Sequence, residues 1–140
     1  MERVILESPY GSKEKDKELY KRLIKVNEIY GEFCMHDMIV NHNESPYASH
    51  LLYTRRFVLH DDIPEERKKG IKAGFKWRDV ADRTAFYCDL GMTKGMEQGI
   101  MDCKKKGRYE MRWLPDKLWK TFINMVKIND LPVPQRQVKV

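Results

Sequence analysis

Short uninterrupted apolar runs alternate along the chain with longer stretches in which apolar residues recur every three or four positions. Residues 4–6 and 84–88 are short apolar runs bounded by turn residues, which predicts strands, and a further strand is predicted at 109–114. A further extended segment is predicted at 47–53, after the break that ends at Pro46. The run at 84–88 is apolar throughout, which is typical of a strand buried on both faces of a sheet.

The stretches between these runs have helical spacing. Apolar residues from Leu19 to Phe33 recur at steps of three and four and predict an amphipathic helix that continues to about Val40. A second helix is predicted at Asp61-Asp62-Ile63-Pro64, with a capping aspartate and a proline in the first turn. Its small residues, Gly70, Ala73 and Gly74, predict close packing of this helix against the sheet.

Two more helices complete the pattern. A turn at 89–93 leads into a helix that ends at Gly107, and Pro115 opens a final helix. The alternating order predicts an α/β fold with a small Rossmann-like parallel sheet of about four to five strands and helices on both faces. We expect one domain over residues 1–128 and a loose C-terminal tail, or an arm onto a neighbouring subunit, over 129–140.

Composition limits the class of protein and the compartment to which this domain belongs. With 140 residues, 41% hydrophobic and 34% charged, the chain predicts a globular domain, and no apolar run is long enough for a membrane helix. The amino terminus does not resemble a signal peptide, and the cysteines, Cys34, Cys88 and Cys103, are odd in number and widely spaced. Reduced thiols in the cytoplasm are therefore expected, with Cys88 and Cys103 buried.

The formal charge of +6 favours an anionic partner, but the basic residues are not gathered into one patch. The cluster from Lys13 to Lys25 alternates with acids, as on a solvated helix face, and Lys104 to Lys106 suit the end of a helix. Duplex nucleic acid is therefore not expected as a partner. The histidines lack the spacing of a metal site, and no metal or cofactor is expected.

Polar residues follow each predicted strand, where ligands bind in parallel sheets. They supply carboxylates, hydroxyls, an imidazole, aromatic faces and the start of a helix, which together suit a nucleoside or nucleotide. Some of these residues also have a purely structural interpretation. Asp89 could cap a turn, His50 could be a buried histidine, and Glu7 could pair with a cation such as Arg112. The candidate site residues are Glu7, Ser8, Pro9, Tyr10, Ser49, His50, Tyr53, Asp89, Gly91, Thr93, Lys94, Gly95, Met96, Glu97 and Arg112.

Several common sites are excluded by their missing motifs. Neither the Walker A pattern nor the GxGxxG spacing is present, which argues against ordinary ATPase and NAD(P) sites. The G-x-S-x-G elbow of serine hydrolases is also absent.

Four segments carry a resemblance to a known family. Residues 4–10, 46–53, 66–74 and 87–96 resemble a family of small, uncharacterised, largely phage and prophage proteins, over about residues 3–114. That family is similar to the nucleoside 2-deoxyribosyltransferases. Such enzymes carry an aromatic residue after the first strand, an acid after a middle strand, and a Gly-Thr-x-x-Glu-x-Gly run with a nucleophilic glutamate.

The resemblance implies roles for individual residues. Glu97 is the counterpart of the nucleophile, Asp89 of the acid/base or sugar ligand, and Tyr10 of the orienting aromatic. Independently of the resemblance, Glu7 is a further candidate catalytic carboxylate, because it follows an apolar strand directly. Glu97-Gln98-Gly99 keeps the Glu-x-Gly end, but Thr93 stands one residue further from Glu97 than in the transferases.

Two functions therefore stay open. One is an enzyme acting on the N-glycosidic bond of a nucleoside or nucleotide, and the other is a phage protein that sequesters or degrades a host immune nucleotide signal. A nucleotide is expected over a nucleoside, because Lys94 and Arg112 suit a phosphate. A homo-oligomer is expected from the transferase resemblance and from the apolar surface that Trp119 and Phe122 add to the last helix.

Overall fold

Alternating strands and helices build a four-stranded parallel sheet in the computed structural model, which describes residues 1–137. The strand order is β2-β1-β3-β4, so the chain turns from one side of β1 to the other between β2 and β3. The predicted fold class and parallel sheet are confirmed. The elements are β1 Glu2–Glu7, α1 Lys17–His42, β2 Glu44–Tyr47, α2 Ser49–Leu52, α3 Pro64–Lys76, a 3-10 turn Trp77–Asp79, β3 Arg83–Tyr87, α4 Lys94–Lys106, β4 Tyr109–Arg112 and α5 Asp116–Ile128.

One face of the sheet is covered by α1 and α5. Alternate residues of β1 and β3, including Leu6 and Tyr87, point to this face and are almost fully buried. Tyr30 of α1 packs on Phe122 of α5, with ring centroids 5.4 Å apart. Phe122 is fully buried, so it does not supply the exposed surface expected from the sequence, whereas Trp119, which packs on it, is partly buried.

The opposite face is covered by α4. Phe86 of β3 and Cys88, directly after the strand, pack against Met96 and Cys103 of α4. Both cysteines are buried and unbridged, as the sequence predicts, and so is Cys34. Within the described residues, no helix is both long and apolar enough to cross a membrane.

The segment 47–53 is not a strand, and this prediction was wrong. The strand precedes it, at Glu44–Tyr47, and Ser49–Leu52 forms one turn of helix. Pro46 lies inside the strand, which is tolerated because β2 is at the edge of the sheet and has a neighbour on one side only.

The start and the packing of α3 also differ from the prediction. The N-cap is Ile63 without a side-chain cap, and Pro64 is the first helical residue, so neither aspartate caps the helix. Gly74 faces α2, where a Cβ would lie 2.5 Å from Ser49 Oγ. The small residues of α3 thus admit α2 and the loop that follows it, rather than the sheet.

The described part of the C-terminal tail, residues 129–137, is held on the domain and is not loose. Leu131 packs on the core beside α5. Arg136 donates from Nε to Asp89 Oδ1 over 2.8 Å, and Gln137 donates its backbone N–H to the Asp89 carbonyl over 2.7 Å. Residues 138–140 of the predicted tail lie outside the described residues.

Candidate functional site

A cleft of about 830 Å³ opens at the carboxyl ends of β1, β2 and β3. This is the place where the chain switches from one side of the sheet to the other, the usual ligand site of such folds. Its walls come from the loop after β1, from α2, from α3 and its preceding loop, and from the start of α4. The predicted site residues that line the cleft are Glu7, Ser8, Tyr10, Ser49, His50, Tyr53, Thr93, Lys94, Gly95, Met96 and Glu97.

Glu7 ends β1 and contributes a largely buried carboxyl to the cleft wall, with 15% of its side chain exposed. Its Oε1 accepts a hydrogen bond of 2.8 Å from Nη2 of Arg78. Burial raises the pKa of Glu7 to about 7, although the Arg78 cation pulls it down. At neutral pH this carboxyl is therefore divided between its acid and its carboxylate form.

Ser8 and His50 form a polar pair beside Glu7. The Ser8 hydroxyl and His50 Nε2 share a hydrogen bond of 2.7 Å, and Thr54 Oγ1 donates to the His50 carbonyl over 2.6 Å. Burial, helped by the Arg55 cation, lowers the pKa of His50 to about 4. The imidazole is neutral at physiological pH, so it offers one donor and one acceptor rather than a charge.

Tyrosines form an aromatic side of the cleft. Tyr10 lines it, and Asn27 holds the Tyr10 carbonyl through a hydrogen bond of 2.7 Å. Two hydrogen bonds hold Tyr53 in place: its hydroxyl accepts one from the Tyr47 hydroxyl and one of 2.9 Å from Trp77 Nε1. Burial raises the pKa of Tyr10, so its phenol keeps its proton. Rings of this kind offer stacking surface to a planar ligand.

The start of α4 forms the opposite wall. Thr93 caps the helix, because its Oγ1 accepts from the backbone N–H of Met96 over 3.2 Å. Glu97 lies one turn further along and is exposed at the rim. Among the described residues, no side chain pairs with the Glu97 carboxylate, which leaves both oxygens available to a ligand.

Sequence reasoning missed one wall of the cleft. Asp61, Asp62, Glu66 and Arg67 line it, from the start of α3 and the loop before it. The signal was present in the acidic run at 61–66, but such a run is also typical of the start of a helix. Arg67 reaches towards the start of α4, with Nη2 3.5 Å from the position of a Cβ on Gly95.

Asp89 does not line the cleft, and its predicted convergence with Glu7 was wrong. The carboxylate is fully buried and accepts from Tyr30 Oη over 2.7 Å, from the Leu114 backbone N–H over 2.9 Å, and from Arg136. Tyr30 belongs to α1, so Asp89 points to the α1–α5 face of the sheet and Glu7 to the other. Its role is to hold the end of β3, the start of α5 and the tail together.

Three further predicted residues lie outside the cleft lining. Pro9 is buried in the loop after β1, and Gly91 lies beside Gln137 of the tail. Arg112 donates from Nη1 and Nη2 to the two carboxylate oxygens of Glu44, over 2.7 Å each. This buried pair joins the two edge strands, so Arg112 cannot act as the phosphate ligand that the sequence suggested.

The charge of the cleft differs from that of the whole chain. Five acidic side chains line it, Glu7, Asp61, Asp62, Glu66 and Glu97, against the three cations Lys13, Arg67 and Lys94. The positive surplus of the chain is therefore not concentrated in the cleft. Among the described residues, no group of three or more His, Cys, Asp and Glu is arranged to hold a metal ion.

Comparison with known proteins places the chain in a family without an assigned activity. No curated protein matches it, and no solved structure matches it. A family model described as a domain of unknown function, DUF7768, matches residues 2–112, which include β1 to β4 and every residue of the cleft. The chain therefore belongs to the DUF7768 family.

Proposed function

We propose that this protein binds a nucleoside or nucleotide in the cleft and cleaves or exchanges its N-glycosidic bond. The observation that carries the proposal is the pair of carboxyls in one cleft, Glu7 with a pKa raised to about 7 and Glu97 with an unpaired carboxylate. Cleavage of a glycosidic bond uses such a pair, one carboxyl as an acid and the other as a nucleophile.

Each carboxyl takes one role in the proposed reaction. A Glu97 oxygen bonds to the anomeric carbon while the bond from that carbon to the base breaks, and the bonding electrons leave with the base. Glu7 gives its proton to the departing base nitrogen. Water or a second base then attacks the anomeric carbon, the bond to Glu97 breaks, and the Glu7 carboxylate takes the proton released by the attacking group.

The remaining cleft residues suit the parts of a nucleoside. The rings of Tyr10 and Tyr53 offer stacking to a base, and Tyr10 keeps the orienting role expected from the sequence. Asp61 and Asp62 offer acceptors for sugar hydroxyls. The acidic majority in the lining favours a nucleoside, whereas Lys94 at the start of α4 and Arg67, which reaches towards it from α3, leave room for a single phosphate.

A mass-spectrometric assay tests the proposal. The pure protein is incubated with nucleosides, nucleoside monophosphates, NAD and cyclic dinucleotides, with and without an added second base. Release of free base indicates hydrolysis, and a new nucleoside containing the added base indicates transfer. The rate of base release is expected to fall above pH about 7, because Glu7 loses its proton there.

Matched variants separate the two carboxyl roles. Glu97→Gln is expected to abolish base release while ligand binding survives, and Glu7→Gln to slow release about 100- to 10,000-fold and remove the alkaline fall. Glu32→Gln, an exposed change on α1 outside the cleft, is expected to behave like the parent protein. If no compound is bound or cleaved, the proposed function is wrong.

The alternative is a phage protein that sequesters or degrades a host immune nucleotide signal. The extra residue between Thr93 and Glu97 favours it, because the glutamate stands one position later than in the transferases. A nucleotide that co-purifies intact, and that stays intact with Glu97 present, would support sequestration over turnover.

We also propose that the protein works in the cytoplasm, of the host if the chain is phage-encoded, as a homo-oligomer. Three unbridged, buried cysteines suit a reducing compartment. Light scattering tests the assembly, and a clean 16.7 kDa monomer at micromolar concentration would contradict it.

A further inference from the structure

We infer that Arg78 is a positioning residue that holds the Glu7 carboxyl in the cleft wall and controls its affinity for a proton, and that Gly99 is the residue that admits Arg78 to this place. The inference deepens the proposed function, since it rests on Glu7 as the acid. The link between Arg78 and the protonation of Glu7 is measurable whether or not a ligand is found.

Arg78 lies behind Glu7 rather than in the cleft lining. Its side chain is 3% exposed, and Nη2 donates to Glu7 Oε1 over 2.8 Å. The bond occupies one oxygen of the carboxyl and restricts its orientation. The second oxygen is then the one available to a ligand.

Three contacts from two helices, α4 and α3, hold the guanidinium in this position. Nη1 lies 3.4 Å from Asp102 Oδ2, and Nε donates to Cys103 Sγ over 3.2 Å, both on α4. The guanidinium also stacks over the ring of Phe75 at the end of α3, 4.4 Å from its centroid. A cation fixed on several sides loses little conformational freedom when it binds Glu7, so it can hold the carboxyl in one orientation.

Gly99 explains how this cation fits against α4. A Cβ at this position would lie 2.9 Å from Arg78 Nη2 and 3.1 Å from Phe86 Cε1. A real Cβ does not approach a nitrogen of a fixed guanidinium so closely without displacing it. The absence of a side chain at Gly99 therefore allows Arg78 to reach Glu7.

Other charged groups around Glu7 cannot replace Arg78. Asp102 raises the pKa of Glu7, and the neighbouring imidazole of His50 is neutral at physiological pH. Arg78 is the cation that lowers this pKa, against the effect of burial. The remaining charged groups that line the cleft, from the loops, α3 and α4, are Lys13, Asp61, Asp62, Glu66, Arg67, Lys94 and Glu97.

The test is a titration of the Glu7 carboxyl carbon by ¹³C NMR in the ligand-free, full-length protein. Glu7→Gln identifies the resonance by removing it. We expect a midpoint at about 7 in the parent protein. In Arg78→Met the midpoint is expected to rise by about one to three units, the usual effect of losing a cation in contact with a carboxylate.

Two milder variants keep the test decisive if Arg78→Met does not fold. Arg78→Lys retains the positive charge, so its midpoint is expected to lie between those of the parent and Arg78→Met. Gly99→Ala displaces the guanidinium and is expected to raise the midpoint by less than Arg78→Met does. The matched control is Arg83→Met, which removes an ion-paired arginine at the start of β3, and it is expected to leave Glu7 unchanged.

A purely structural role for Arg78 would lower stability without moving the Glu7 titration. Equal Glu7 midpoints in the parent, Arg78→Lys and Gly99→Ala would therefore overturn the inference. With an active protein, the alkaline fall in base release is expected to move with the midpoint of each variant. If titrations shift but no ligand is ever bound, the proposed function fails and the link between Arg78 and Glu7 stands.

Discussion

Glu7 ends β1 and Asp89 lies just after β3, the two inner strands of the sheet, yet their surroundings give them different roles. Glu7 has one cationic partner and faces a cleft, where burial raises its pKa to about 7. Asp89 is fully buried and is satisfied by three donors, from Tyr30, Leu114 and Arg136. The difference follows from the side of the sheet to which each side chain points.

Asp89→Asn is expected to destabilise the protein by about 2–4 kcal/mol, because it removes the charge that pairs with Arg136 and leaves polar groups poorly matched. Urea unfolding followed by circular dichroism measures the loss. Asp62→Asn, an exposed change in the cleft, serves as the control and is expected to cost little. Ligand binding by folded Asp89→Asn at the level of the parent protein is also expected, and its loss would place Asp89 in the site.

At the scale of elements, the cleft depends on how α2 and α3 fit together. α2 has only one turn, from Ser49 to Leu52, and carries Ser49 and His50 into the cleft wall. Such a short helix has little stability of its own, so its position is set by its neighbours. Gly74 of α3 is the contact that allows α2 to lie close.

Gly74→Ala is expected to push α2 away from α3, because the new Cβ would meet Ser49 Oγ at 2.5 Å. We expect a stability loss of about 1–3 kcal/mol, typical of overpacking, together with weaker ligand binding. Thermal unfolding and calorimetry measure the two effects. Gly107→Ala is the control, since a Cβ there has no neighbour within 4 Å, and equal behaviour of the two alanine variants would contradict this account of the α2–α3 contact.

For the whole molecule, two cleft residues give opposite pH dependences of folding stability. The pKa of Glu7 is raised from 4.5 to about 7, so its contribution is complete below pH 4.5 and is lost as the pH rises to about 7. The pKa of His50 is lowered from 6.5 to about 4, so its contribution is complete above pH 6.5 and is lost as the pH falls to about 4. Each contribution to the free energy of unfolding amounts to roughly 3 kcal/mol. Between pH 4.5 and pH 6.5 the two contributions change in opposite directions and offset each other.

When either side chain is replaced, the pH dependence that the other gives to the free energy of unfolding is expected to become visible. From pH 4.5 to 6.5 the free energy of unfolding of Glu7→Gln should rise with pH relative to the parent protein, and that of His50→Gln should fall. Urea unfolding at half-unit pH steps measures both slopes. Parallel curves for the three proteins would show that neither group titrates with the shifted pKa.

The sequence predicted the cleft in outline but not its full membership. Residues in the turns after strands, such as Ser8 directly after β1 and Thr93 before α4, were identified because the strand ends are visible in the apolar pattern. Arg78 was missed, since it is 71 positions from Glu7 in the chain and no local pattern connects the two. Arg112 was misassigned because its position after a strand does not reveal that Glu44, 68 positions away, already holds it.

The sequence by itself determined most of the elements, the alternating α/β order, the parallel sheet and the edge at which the cleft opens. These follow from local periodicity, from turn residues and from the right-handed connection of parallel strands, which depend on near neighbours and on chain chirality. Only the tertiary structure decided that Asp89 binds the C-terminal tail, that α3 supplies a wall of the cleft, and that Arg78 holds Glu7. Those outcomes depend on which face each side chain takes and on contacts between distant segments, which local spacing does not encode.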